Sequence, residues 1–187
     1  MPAAQADLAM LREQLGPDDD PLGWDAVFAF EAEHGVTLPE PYRSFVATIS
    51  DGSFIGPPDC GLLELGVLPA DWGAGRPKRH LGKPIPLNAQ WIWEAGDLPE
   101  PDEEQLAPIY DHGSLVLGTD GCGMYWHLIV TGEHRGHIWP IDEMGATPFG
   151  SEFGYTTGQS GFAGWVRHWA AGNDWWDAAT PSGQDQR

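Results

Sequence analysis

The sequence predicts an α+β fold, and two observations carry that prediction. Residues 115–141, LVLGTDGCGMYWHLIVTGEHRGHIWPI, form three consecutive segments typical of antiparallel strands, joined by two glycine-containing turns. Segments on both sides repeat apolar residues at intervals of three and four, the spacing of helices that bury one face. We therefore expect a central antiparallel sheet with helices packed around it.

The start of the chain predicts a short helix over residues 2–15. A Gly-Pro pair at 16–17 ends it, and its leucines share one face. We interpret residues 1–20 as an N-terminal helix or arm, residues 21–172 as a single domain, and the polar segment 173–187 as a partly disordered tail. The leucines of the helix are Leu8, Leu11 and Leu15.

A second helix is predicted from Asp20 to His34. Asp20 is a favourable N-cap residue, Pro21 suits the first helical position, and Gly35 is a typical helix end. The apolar face of this helix begins at Trp24, which is therefore expected in the core.

Two further helices are predicted, over Pro39–Ser50 and Phe162–Ala171. Each carries apolar residues at i, i+3, i+4 and i+7, the pattern of a buried helical stripe. Ser160 can cap the later helix. The stripes are Tyr42, Phe45, Val46 and Ile49 in the first, and Phe162, Trp165, Val166 and Trp169 in the second.

The segments between the helices and the strand unit are less regular. Residues 61–65 predict a short strand, and residues 69–106 predict one short strand among surface loops. An acidic stretch over residues 94–104 is interrupted by Pro99 and Pro101, so we interpret it as a solvent-exposed loop.

The charge of the chain limits its partners. Its 187 residues carry a net charge of −19, from 28 acidic and 9 basic residues. Such a chain repels phosphate groups, which disfavours nucleic acids and anionic membranes as partners. The charge suits a basic protein partner, or it serves solubility alone. With no signal-peptide pattern, no apolar run of about 20 residues and no disulfide framework, we predict a cytoplasmic protein.

Some residues suggest a metal site, a catalytic nucleophile or a phosphate loop, and each suggestion is compared with a simpler structural explanation. His134 and His137, with His112, His127 and Cys122 nearby in sequence, lack the tight spacing of a metal site. Cys122 with His127 suggests a nucleophile and base, but a small turn residue explains the cysteine better. The glycines of residues 118–123 suggest a phosphate loop, but neither a following helix nor the Walker lysine is predicted. We expect no metal and no cofactor.

Four segments, taken in order, resemble the SUKH superfamily. LPEPYRSFVATISDG (38–52) is similar to its L-P-x-x-Y/L-x-x-F…N/D-G unit, and WDAVFAFEAEHGV (24–36) fits the helix before it. LVLGTDGCGMYWHLIV (115–130) resembles the family's glycine hairpin, and FAGWVRHW (162–169) resembles its final helix. The chain departs from the pattern at Met124, where many relatives have an acidic residue.

The nearest branch of the superfamily is the Smi/Knr-like one. It includes a fungal regulator of cell-wall synthesis and bacterial immunity proteins of polymorphic toxin systems. The resemblance implies a curved antiparallel sheet flanked by helices, and it implies no conserved catalytic centre.

We therefore predict a non-catalytic protein-binding domain, with immunity against a basic toxin as the leading hypothesis. The alternatives are a regulator or scaffold unconnected to toxins, and an enzyme that uses Cys122 or His127. The predicted binding residues combine the acidic stretch with aromatic side chains on an open sheet face. They are Glu94, Asp97, Asp102, Glu103, Glu104, Trp126 and Trp139.

Overall fold

A five-stranded antiparallel sheet lies between two layers of helix and loop. The computed structural model describes residues 2–16, 19–58, 61–72, 78–94 and 101–178. Within them the helices are α1 (Pro2–Leu15), α2 (Trp24–His34), α3 (Tyr42–Thr48), α4 (Glu103–Asp111) and α5 (Gly161–Ala170). The strands are β1 (Trp91–Ile92), β2 (Ser114–Gly121), β3 (Met124–Ile129), β4 (Ile138–Ile141) and β5 (Gly145–Ala146). The order across the sheet is β1-β5-β4-β3-β2, which confirms the predicted α+β class.

The predicted three-strand unit is confirmed as β2, β3 and β4, which pair in sequence order. Cys122 and Gly123 form the first turn, and both have positive φ, 51° and 76°. Two consecutive positive φ values are typical of a type I′ turn, whose twist matches that of the flanking strands. The glycines of residues 118–123 therefore belong to β2 and to the hairpin turn that follows it.

Both faces of the sheet are covered. Trp126 and Leu128 point to a core cluster shared with α1, α2, α3 and α5. Ile129 and Trp139 point to the opposite side, where α4 and residues 85–93 cover them. The expected open face with exposed Trp126 and Trp139 is therefore wrong, because these side chains are only 3% and 0% exposed. Alternation along a strand predicts two faces but does not show what packs on each.

The predicted start of α2 is also wrong. The helix begins at Trp24, with Gly23 as its N-cap residue. The Leu22 N–H donates to the carbonyl of Val46 at 2.9 Å, so the chain just before the helix is held against α3. The predicted end is confirmed, because Gly35 caps α2 in the left-handed conformation.

Trp24 does not lie in the core. It is 38% exposed and stacks on Phe28, which is 50% exposed, at a centroid distance of 5.7 Å. The Arg43 guanidinium lies over both rings. The buried residues of α2 are Val27 and Glu31.

The stripes of the other helices are largely confirmed. α3 begins at Tyr42 rather than Pro39, and its predicted stripe is buried in full. In α5 the stripe is buried except for Trp169, which is half-buried. Ser160 is the N-cap residue of α5, although among the described contacts its side chain makes no capping hydrogen bond.

The two ends of the described chain both join the main core. Leu11 and Leu15 of α1 are completely buried, and α1 packs against α5 and α3. After α5, Trp175 packs on Trp126 at a centroid distance of 4.7 Å. The Asp177 carboxylate accepts hydrogen bonds from the Thr157 hydroxyl and backbone N–H, and these bonds anchor the segment after α5. The same hydrogen bonds lower the pKa of Asp177 to about 2. Of the predicted disordered tail, residues 179–187 lie outside the described chain.

Two predictions for the middle of the chain are wrong. In the described residues 61–65 the structure has a single bridge, Ser53–Leu62, in place of the expected strand. The acidic stretch is not a loop throughout, because α4 begins at Glu103. The predicted short strand is confirmed as β1.

Candidate functional site

The first turn of α4 presents three exposed carboxylates. Asp102 is its N-cap residue and accepts a 2.9 Å hydrogen bond from the Gln105 N–H. The Gln105 side chain accepts from the Asp102 N–H in return, at 3.1 Å, which completes a capping box. Glu103 and Glu104 follow at the positive end of the helix dipole, which stabilises negative charge there. The sequence thus builds a rigid acidic helix end immediately after Pro101.

A groove of about 420 Å³ lies beside this helix end. Its lining combines aromatic and aliphatic residues with three acidic residues. Glu103 and Glu143, the latter in the turn between β4 and β5, are exposed, whereas Asp111 at the end of α4 is buried. The remaining lining residues are Trp93, Leu106, Ala107 and Tyr110. We call this surface the acidic groove.

Two aromatic side chains hold the far wall of the acidic groove in place. The Trp93 indole N–H donates to the Glu143 carbonyl at 2.6 Å, and the Tyr110 hydroxyl donates to the Asp142 carbonyl at 2.9 Å. Trp93 itself is buried among the apolar residues between the sheet and α4. The backbone of the β4–β5 turn is therefore fixed relative to α4.

The structure brings part of the predicted acidic set together. Asp102, Glu103 and Glu104 share one helical turn, and Glu103 lines the groove. Glu94 is exposed, and its N–H donates to the Met144 carbonyl, which places it beside the β4–β5 turn. Asp97 lies outside the described residues.

The sequence prediction missed the residues that complete the groove. Glu143 and Tyr110 are 40 and 7 positions from Glu103 in the sequence, and Tyr110 lies on a helix that the proline-rich context concealed. The one available signal was the Asp102-x-x-Gln105 spacing, which is a capping-box pattern.

The alternative thiol chemistry finds no support in the geometry. Cys122 is exposed in the hairpin turn, whereas His127 is completely buried inside the sheet. His127 lies three positions along β3 from Met124, which borders the turn, so the thiol and the imidazole are separated by at least roughly 10 Å along the strand. The His127 Nδ1 atom lies 2.9 Å from the Ser114 hydroxyl, in a contact that fixes the imidazole within the core.

The two histidines in the connection between β3 and β4 pack against other rings of the fold. His134 and His137 stack at a centroid distance of 5.4 Å, and Phe153 packs edge-on against both. Burial lowers the pKa of His137, which favours its neutral form. Among the described residues, no three His, Cys, Asp or Glu side chains converge as metal ligands would.

A family comparison gives the chain its classification. The model of the SMI1/KNR4 family (SUKH-1) matches residues 22–157, which is well over half of the sequence. The chain belongs to this family. Comparison with curated proteins and with solved structures gives no match.

The SMI1/KNR4 match contains α2, α3, α4, the whole sheet and the acidic groove. It confirms the resemblance that the segments at 24–36, 38–52 and 115–130 predicted. The final-helix segment at 162–169 lies beyond the matched range. Family membership is compatible both with an immunity role and with a regulatory role, and it leaves the partner open.

No helix in the described part of the chain combines the length and apolar character that a membrane span requires.

Proposed function

We propose that this chain is a non-catalytic protein-binding domain that acts as an immunity protein, covering the active site of a cognate basic toxin. The acidic groove is the observation that carries this proposal. It joins carboxylates from α4 and from the β4–β5 turn around an aromatic wall. Aromatic residues are favoured at protein-binding hot spots, and complementary charge accelerates association.

Net charge and membership of the SMI1/KNR4 family support the same function. A net charge of −19 disfavours nucleic acid as a direct partner and attracts a basic protein surface. The exposed thiol and the buried imidazole lie too far apart for the nucleophile–base pairing that the enzyme hypothesis requires.

The proposal predicts that a gene beside the one for this chain encodes a basic toxin, and the test uses the product of that gene. Reversing two charges in E103K/E104K should slow association with that toxin by about tenfold at low salt, with little change at high salt. The double variant E13K/E33K is the matched control, because it makes the same charge change on exposed positions of α1 and α2. Association should be read from stopped-flow or surface plasmon resonance at two ionic strengths.

Two results would overturn the proposal. One is an association rate that E103K/E104K and E13K/E33K change equally, since net charge and not the groove would then govern docking. The other is a neighbouring gene product that this chain neither binds nor inhibits, which would favour the regulator or scaffold alternative.

A further inference from the structure

A second groove lies across the β4–β5 turn from the acidic groove. Its volume is about 210 Å³, and its floor is formed by Trp126 and Trp175. A cavity of about 150 Å³ holds a benzene molecule, so this groove has room for one large apolar side chain. We call it the apolar groove.

Exposed apolar side chains cluster around the apolar groove. Ile92, Met124, Met144 and Trp176 all line it, and each is more than one-third exposed. Such a cluster on a soluble chain is typical of a binding surface. Methionine adapts its shape to different partners and is common at such surfaces.

The walls of the apolar groove are held in fixed positions. One Asp142 carboxylate oxygen accepts hydrogen bonds from the N–H groups of Met144 and Gly145, at 2.7 and 2.9 Å. Gly145 is required there, because a Cβ would lie 2.6 Å from the Trp91 carbonyl oxygen. On the other side, Trp175 packs against both Trp126 and Trp165. The groove is therefore present before any partner arrives.

The charge around the apolar groove indicates which kind of partner fits it. Both charged residues among the described lining of the apolar groove, Asp120 and Asp142, are acidic. Glu143 follows directly and lines the acidic groove on the other side of the same turn. A second copy of this chain would bring its own net charge of −19 against these carboxylates, which disfavours self-association.

We propose that the apolar groove receives a large apolar side chain of the protein partner, flanked in the partner by Lys or Arg residues that face Asp120 and Asp142. This inference rests on the proposed function and defines the partner's contact segment as basic with an apolar anchor. The acidic groove attracts the partner, and the apolar groove retains it, because burying an apolar anchor slows dissociation.

The test uses three synthetic peptides with the full-length protein: Ac-KKLKK-NH2, Ac-KKGKK-NH2 and Ac-SSLSS-NH2. Binding is followed by the methyl NMR signals of the methionines. We expect Ac-KKLKK-NH2 to bind about tenfold more tightly than Ac-KKGKK-NH2, the gain expected from burying one leucine. It should also bind more tightly than Ac-SSLSS-NH2, because only its lysines are attracted by the carboxylates. Its binding should shift the Met124 and Met144 methyl signals and leave Met10, on α1, unchanged.

A pair of variants connects the peptide result to the groove. M144Q should remove the advantage of Ac-KKLKK-NH2 over Ac-KKGKK-NH2, whereas F54Q, which changes an 81% exposed side chain elsewhere, should preserve it. With the cognate toxin, M144Q should raise the dissociation rate while E103K/E104K lowers the association rate.

Three outcomes would overturn the inference. They are equal affinity for the leucine and glycine peptides, equal affinity for the basic and serine peptides, and methionine shifts that depend on protein concentration alone. The last outcome would mean that a second copy occupies the groove. None of these outcomes changes the result expected for E103K/E104K with the toxin, so the proposed function is tested separately.

Discussion

At the scale of single residues, the buried carboxylate of Glu31 shows how the helical layer is fixed. Arg43 donates to both of its oxygens at 2.7 Å, and the Leu38 N–H donates to one of them at 2.7 Å. Burial raises the pKa of Glu31, but these hydrogen bonds outweigh it and the net shift is downward. Glu31 thereby connects α2 to α3 and holds the Arg43 guanidinium against the exposed Trp24 and Phe28 rings.

We expect E31Q to lower the free energy of unfolding by about 2 kcal/mol at pH 7, since it weakens hydrogen bonds to a charged group. A carboxylate whose pKa is lowered on folding stabilises the protein above its unfolded pKa and loses that effect as pH falls through the folded pKa. The difference between wild type and E31Q should therefore shrink below about pH 4.5. Urea unfolding across pH 3–7 measures it, and E33Q, on the exposed side of α2, is the control. A difference that stays constant with pH would contradict this account.

At the scale of elements, the helices and strands that were predicted correctly are those with a strong local pattern in the sequence. The hairpin was predictable because alternation and glycine turns act together over a few residues. α4 was missed because its capping box lies inside a proline-rich acidic run whose composition resembles a loop. The acidic groove could not be predicted as a whole, since Glu143 and Tyr110 reach it only through the pairing of β4 with β5 and the packing of α4.

The first hairpin turn provides a prediction at this scale. Cys122 occupies a left-handed conformation, which costs an ordinary L-residue roughly 1 kcal/mol and is easier for asparagine. We therefore expect C122N to raise the free energy of unfolding by about 0.5 kcal/mol, because Asn-Gly is the preferred type I′ pair. The β-branched variant C122V should lower it. Chemical denaturation measures both, and partner binding by C122N should remain unchanged. Destabilisation by C122N would show that the thiol makes a contact beyond the turn.

At the scale of the whole molecule, the folded unit extends beyond the range that defines the family. The SMI1/KNR4 match covers residues 22–157, yet α1 and α5 lie outside it and both enter the main core. Trp165 of α5 is completely buried and packs on Trp126 of the central sheet at 5.3 Å. The apolar groove depends on the same packing, because Trp175 forms its floor against these two rings. The binding surface that we propose therefore combines family and flanking residues.

This arrangement predicts that residues 22–157 do not fold alone. Removing α1 and α5 takes away two of the four helices that share the main core, so the truncated chain should lack a cooperative unfolding transition. A single substitution tests the packing of α1 without removing any segment of the chain. L11A should lower the free energy of unfolding by about 3 kcal/mol, the typical cost of replacing a fully buried leucine. E13K, two positions along the same helix and exposed, should change it by less than about 0.5 kcal/mol. Calorimetry and urea titration measure these effects. A cooperative transition in the truncated chain, or an L11A effect as small as that of E13K, would show that α1 is an accessory arm and that the domain ends where the family match does.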